Sequence, residues 1–197
     1  MMRDPSIQRS FGPLILLMLL SSLFNRVEAK HPAVKLFILA GEANVEGYAS
    51  VGHLRQLVTA VSTDPNSPAP YQHLWNATTK EWVVRDDVFV SYDRHRSDEW
   101  MHGPLTVASF GGEVDTFGPE LQLGHFLGDI YEEPVVIVKA GWKGRSLAKD
   151  FASPSSNHTG FQWYRMMTSI HRTANSLHEI LGPEYKYSRP EIMGFVW

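Results

Sequence analysis

The sequence predicts an α/β fold on a parallel sheet, and three observations carry the prediction. Val34 to Ala40 is a nearly continuous apolar run ending at Gly41, the pattern of a strand buried on both faces. Val135 to Lys139 repeats it, and Ile192 to Trp197 begins a third such run. Helix patterns lie between them, and strand–helix–strand–helix–strand implies parallel strands joined by crossovers.

Taken in chain order, the first segment is an address. Arg3 and Arg9 precede an apolar stretch from Leu14 to Leu20, extended by Leu23 and Phe24, and Val27-Glu28-Ala29 offers small residues for cleavage before Lys30. A basic start, a short apolar run and such a site read as a secretory signal over residues 1–29. The run falls short of the roughly 20 residues that span a bilayer. The expected mature protein, residues 30–197, is one exported domain, secreted or periplasmic, with no membrane partner after cleavage. The sequons Asn76-Ala77-Thr78 and Asn157-His158-Thr159 fit that compartment.

Asp64 to Pro70 reads as loop. Val83, Val84, Val88, Phe89 and Val90 around Arg85-Asp86-Asp87 read as two short strands or a hairpin, with the charged residues holding the hairpin together. Gly118-Pro119-Glu120 reads as a helix start, since Pro suits the first position and an acid favours the positive end of the dipole. Leu123, Phe126, Leu127 and Ile130 then mark one face. Gly141 to His158 is loop. Trp163, Met167, Ile170, Ala174, Leu177 and Leu181 recur at steps of three and four, an amphipathic helix stopped by Gly182-Pro183. The last apolar run has no helix after it, which predicts the front part of a larger domain.

Composition excludes several functions. The 197 residues contain no cysteine, 43% are hydrophobic and 20% charged, and the formal net charge is −3. No thiol chemistry, disulfide or Cys-bound zinc is available. The charge and the lack of a basic patch argue against nucleic acid. No HExxH or close histidine pair suggests a metal, and no cofactor is implied.

In open α/β sheets, ligands bind beyond the carboxyl ends of the strands. Two loops qualify: Gly41-Glu42-Ala43-Asn44 after the first strand and Gly141-Trp142-Lys143-Gly144-Arg145-Ser146 after the second. Glu42, Asn44, Lys139, Trp142 and Arg145 would line them, and an aromatic beside polar groups suits a sugar. Packing against a helix is an equal reading for Trp142.

These loops carry a resemblance. Val34 to Gly47 resembles the opening block of the SGNH hydrolases, in the sialate O-acetylesterase and acetylxylan esterase-like branch, which reads Gly-Gln-Ser-Asn and then usually Met-x-Gly. Arg85-Asp86-Asp87-Val88, Phe117-Gly118-Pro119-Glu120, Lys139 to Leu147, Asp150-Phe151 with Pro154-Ser155-Ser156, and Gly194-Phe195-Val196-Trp197 follow in order. The resemblance implies a flavodoxin-like three-layer α/β/α fold and hydrolysis of acetyl esters on sugars. A serine after the first strand would attack the ester, a late histidine with a nearby aspartate would activate it, and the serine amide, a second-loop glycine amide (here Gly144) and a later polar side chain would form the oxyanion hole.

The chain departs from that pattern where chemistry matters. Ala43 stands at the nucleophile position, Glu42 replaces the glutamine, and Lys143 replaces the first of two glycines. The Gln-Gly block and the late Asp and His are absent from the sequence. Ser50 and Ser146 are the nearest hydroxyls, and neither sits at the strand-end turn. His53, His102 and His125 have structural or solvent-facing roles as the default. The reading is an exported carbohydrate O-acetylesterase relative without catalysis. A non-catalytic sugar-binding relic, with acetylated carbohydrate as its partner, is the alternative.

Overall fold

The computed structural model describes residues 31–60, 71–94 and 99–197. They belong to one unit, His31–Trp197. Residues 1–29, read from the sequence as a secretory signal, and Asp64–Pro70, read as loop, lie outside the described residues.

The fold is mixed α/β with a five-stranded, mostly parallel sheet. In chain order its elements are β1 (Val34–Gly41), α1 (Ala43–Glu46), β2 (Ala49–Ser50), α2 (Val51–Thr59), β3 (Trp75–Asn76), β4 (Glu81–Trp82), β5 (Val88–Asp93) and β6 (Trp100–Pro104). There follow β7 (Thr116–Phe117), α3 (Glu120–Gly128), β8 (Val135–Gly141), α4 (Phe161–Asn175), α5 (Leu177–Ile180) and β9 (Pro190–Val196). The sheet order is β6-β5-β8-β1-β9, with only β6 antiparallel to its neighbour. β1 runs parallel to both β8 and β9, in a register that sets Gly41 beside Gly141.

Alternation along the strands divides the core in two. Phe37 and Leu39, Val90 and Tyr92, and Ile137 pack with Val51 and Leu54 of α2 and Leu121 of α3. Leu36 and Ile38, Val136 and Val138 pack on the other face with Met166 and Ile170 of α4 and Leu177 of α5. Each fully buried Val, Leu or Ile contributes roughly 1.5–3 kcal/mol, so β8, buried along all seven residues, anchors both layers.

Several expectations need correction. Of the two readings of Glu81 to Tyr92, two short strands hold and the hairpin does not: β4 pairs with β3, and β5 enters the main sheet beside β8. Arg85 instead grips Asp87 through two hydrogen bonds of 2.8 and 2.6 Å and reaches Asp129 at 2.7 Å, tying the start of β5 to the end of α3. On α3 the buried face is Leu121, Gly124, His125 and Leu127, while Phe126 and Ile130 are exposed. Gly124 sets this rotation: a Cβ there would stand 2.3 Å from Leu105 Cδ2, so the helix approaches the core through its smallest residue. The amphipathic helix is two helices broken at Ser176, its buried stripe centred on Gln162, Met166, Ser169, Ile170 and Thr173.

Candidate strand-end site

Two glycines bring the predicted loops together. Val45 of α1 packs across the ends of β1 and β8, where a Cβ on Gly41 would lie 2.7 Å from Val45 Cγ2 and one on Gly141 2.5 Å from Val45 Cγ1. No larger residue leaves room for that contact. Gly47, with φ at +84°, closes the turn, and a Cβ on it would meet the Gly118 backbone at 2.5 Å. Phe117-Gly118-Pro119 is therefore pressed against the first loop, so the helix start is also a wall of the site.

The result is a cleft of about 750 Å³ beyond the end of β1, walled by Ala43, Asn44, Tyr48, His53, Phe117 and Lys143 above an aliphatic floor that includes Leu54 and Leu121. The Ala43 methyl stands at the strand-end turn. Ser50 also reaches the cleft, but its Oγ accepts the His53 N–H at 3.3 Å and caps α2. Among the described residues, the lining holds one histidine, His53, and no aspartate or glutamate.

Carboxylates of the first loop hold the second. Glu46, nearly fully buried, accepts the N–H of Lys143 at 2.5 Å. Glu42, which is exposed, accepts the N–H of Gly144. The N–H of Ala43, then that of Gly144, hold the Glu42 carboxyl below the usual carboxylate range; desolvation opposes them, and the charge of Lys143 and the Arg145 N–H add to the shift. The Lys143 ammonium lies 4.8 Å from the centre of the Tyr48 ring. Gly144 itself has φ at +73°, a left-handed backbone that favours glycine.

The remaining predicted site residues divide into reached and enclosed. Asn44 lines the cleft, and half-exposed Arg145 lies 3.8 Å from Asp150, whose other carboxylate oxygen accepts the Ser146 N–H at 2.7 Å. Lys139 and Trp142 do not line the surface, because both are completely buried. The Lys139 ammonium sits 2.8 Å from Glu120, donates to the Phe110 carbonyl and faces the Tyr92 ring at 5.0 Å. Burial pushes its pKa down, against the pull of Glu120. Trp142 donates its indole N–H to the Asp93 carbonyl at 2.9 Å, stacks on Phe151 and carries the Arg165 guanidinium 4.7 Å from its ring centre. The packing reading of Trp142 is the one its surroundings support.

The other two histidines named from the sequence lie elsewhere. His102 is exposed on β6 against Trp100, and buried His125 on α3 lies 5.2 Å from the His73 ring. The sequence reading missed Glu46, whose only signal is its place one helical turn after Glu42, and Tyr48, which follows the Gly47 turn. Among the described residues there is no group of three or more histidines and carboxylates suited to a metal, and no helix is long and apolar enough to cross a membrane. Comparison with the models of known families, with curated proteins and with solved structures finds no match to this chain.

Proposed function

We propose that this chain is a catalytically silent relative of the SGNH carbohydrate O-acetylesterases, an exported protein with a flavodoxin-like three-layer frame. The observation that carries the reading is the strand-end turn: Ala43 presents a methyl where acyl transfer needs a hydroxyl, and the adjoining Gly144 amide is already bonded to Glu42. Losing the nucleophile of a serine-protease triad costs about 10⁶ in kcat, roughly 8 kcal/mol. Oxyanion stabilisation and binding alone leave about 10³–10⁴ over water, and here the amide that would supply it is engaged. Among the described residues that line the cleft, no carboxylate accompanies His53 to orient a base.

The purified chain is expected to hydrolyse p-nitrophenyl acetate and acetylated oligosaccharides no faster than buffer, and to form no adduct with a fluorophosphonate probe by mass spectrometry. Turnover abolished by one substitution in the cleft overturns the reading.

The cleft itself favours a second, binding role. Tyr48 and Phe117 offer ring faces, and Asn44, His53 and Lys143 offer hydrogen bonds, a combination that suits the faces and hydroxyls of an acetylated sugar. Titration calorimetry with acetylated oligosaccharides tests this, and an absence of heat at millimolar ligand removes it.

A further inference from the structure

A second cavity, of about 740 Å³, opens at the other end of the strands from the cleft at Ala43. Its wall is His31 just before β1, Ala174 and Asn175 at the end of α4, and Lys186 to Pro190 leading into β9. No aspartate or glutamate lines it, and among the described residues neither Lys186 nor Arg189 forms an ion pair. The neighbouring acids are turned to other groups: Glu191 holds Lys35 at 2.6 Å, and Glu184 lies against Gly182. Ser188, 8% exposed, is part of the wall, and its Oγ has no hydrogen-bond partner among the described residues. Buried hydroxyls are ordinarily paired, so an unpaired one in a cavity wall favours a ligand oxygen beside it.

We propose that this cavity binds a phosphomonoester carried on a ring, a molecule about the size of a nucleoside monophosphate. Arg189 brings a planar fork of donors that matches phosphate oxygens, and Lys186 adds a compact charge. Tyr187, 66% exposed, offers a ring surface for stacking. His31 lies 5.7 Å and the Lys186 ammonium 5.6 Å from the centre of that ring, so donors and ring surface are gathered in one place. The volume is that of a pocket for a whole small molecule and far exceeds a free phosphate ion.

The wall also sets the orientation. Ala174 and Asn175 belong to the last turn of α4, where backbone carbonyls carry the negative end of the helix dipole. That end repels an anion and accepts hydrogen bonds from hydroxyls. The phosphate therefore lies at Lys186, Ser188 and Arg189, and the hydroxyls of the ligand lie toward Asn175. This wall shares no residue with the cleft at Ala43, so an active-esterase result would leave the inference standing.

The test titrates the whole ¹⁵N-labelled chain with adenosine 5′-monophosphate at constant ionic strength, read by amide chemical shifts. The amides of Asn175, Tyr187, Ser188 and Arg189 are expected to shift saturably, with half-saturation at about 0.1 mM. Adenosine and inorganic phosphate, each carrying half of the recognition, should bind at least about tenfold more weakly. Glucose 6-phosphate distinguishes the source of the ring: binding as tight as the nucleotide's assigns a sugar phosphate, and weaker binding assigns an aromatic base. Lys186→Ala and Arg189→Ala should each weaken binding about tenfold or more. Lys149→Ala, the same charge change on an exposed residue outside the wall, should leave it unchanged. Ser188→Ala removes an unpaired hydroxyl, so it should weaken binding without lowering the urea midpoint. The spectra also report whether each variant is folded. The site is wrong if neither phosphomonoester gives saturable shifts at these amides, if adenosine or inorganic phosphate alone matches them, or if binding survives Arg189→Ala undiminished.

Discussion

β8 and β9 are the two parallel neighbours of β1, and they meet opposite fates. All seven residues of β8 are buried, while β9 carries Ile192, Met193, Phe195 and Val196 exposed, followed by exposed Trp197. Their sequences look alike, each an apolar run of β-forming residues. The difference comes from what lies beside and above them. β8 has a strand on each side and helices on both faces, whereas among the described residues β9 pairs with β1 alone, with the Lys35–Glu191 ion pair at 2.6 Å and, just beyond it, the Phe151–Trp197 edge contact at 4.9 Å. An apolar run thus specifies a strand, but its burial belongs to the neighbours.

The sharpest way to break this comparison is to unpair the one charge that β8 buries. Glu120→Ala leaves the Lys139 ammonium enclosed without its partner, and the expected cost is about 3–5 kcal/mol. The double change Glu120→Leu with Lys139→Met should recover most of it, since replacing a buried ion pair by apolar side chains is often close to neutral. Urea unfolding measures both; a single-variant loss below about 1 kcal/mol would mean that Lys139 finds water or another partner.

Next in size is a matched pair of truncations. Ile137 in β8 is fully buried, and Ile137→Ala should cost about 2–5 kcal/mol, cavity included. Ile192 in β9 is 62% exposed, and Ile192→Ala should stay within about 0.5 kcal/mol. The β9 effect should appear instead in solution behaviour. An exposed edge strand with stacked Phe195 and Trp197 is an association hazard, so Phe195→Ser should lower light scattering while barely moving the unfolding midpoint. Equal losses at the two isoleucines would dissolve the distinction between the strands.

How far the sequence revealed this arrangement depends on how local each signal was. β1 and β8 were legible because their apolar runs are unbroken and end in glycine. The strands at Glu81–Trp82 and Val88–Asp93 are legible, but a hairpin is an equal reading of the sequence because Arg85-Asp86-Asp87 looks like a turn, whereas Arg85 reaches forward to Asp129 at the end of α3. β6 was missed: Trp-Met-His-Gly-Pro has neither alternation nor an apolar run, and it becomes a strand only by pairing with β5. The stripe on α3 was misplaced because its inward positions include Gly124 and His125, which a search for apolar residues passes over. Within the site, the turn at Ala43 and the facing Gly144 loop were legible from glycine placement. Lys139 was misassigned because a lysine at a strand end reads as solvent-facing until the long-range partner Glu120 is known.

A smaller effect separates the buried side from the edge by pH. Burial, then the nearby His73 and Arg85, push the His125 pKa down to about 4 from an ordinary 6.5, with Asp129 and Asp87 pulling the other way. The folded state therefore binds fewer protons than the unfolded chain between pH 4 and 6.5. Stability from this group is complete above pH 6.5, falls as the pH drops through that window, and changes no further below 4. The loss is up to about 3 kcal/mol. His125→Gln should flatten that part of the stability profile in urea unfolding at stepped pH, and Ile192→Ala in β9 should leave it unchanged. A slope that survives His125→Gln assigns the pH dependence to other groups.

The smallest expected effect is the most informative about function. Ala43→Ser adds a single oxygen at the turn and is expected to produce no burst of p-nitrophenol from p-nitrophenyl acetate. A serine hydroxyl is a weak nucleophile until a positioned base takes its proton, and the described cleft lining offers only His53, without a carboxylate to fix its tautomer. The amide that should receive the oxyanion is bonded to Glu42, so the charge formed by attack would be repelled at the point where it needs donors. Ala43→Ser with Glu42→Gln removes the second obstacle and leaves the first, and it too should remain at the buffer rate. A stoichiometric burst from the single variant that disappears on His53→Ala would show that His53 reaches position 43 and that the amides open on demand. A burst from the double variant alone would mean that the tethered carboxylate, and not the absent base, is what keeps this turn silent.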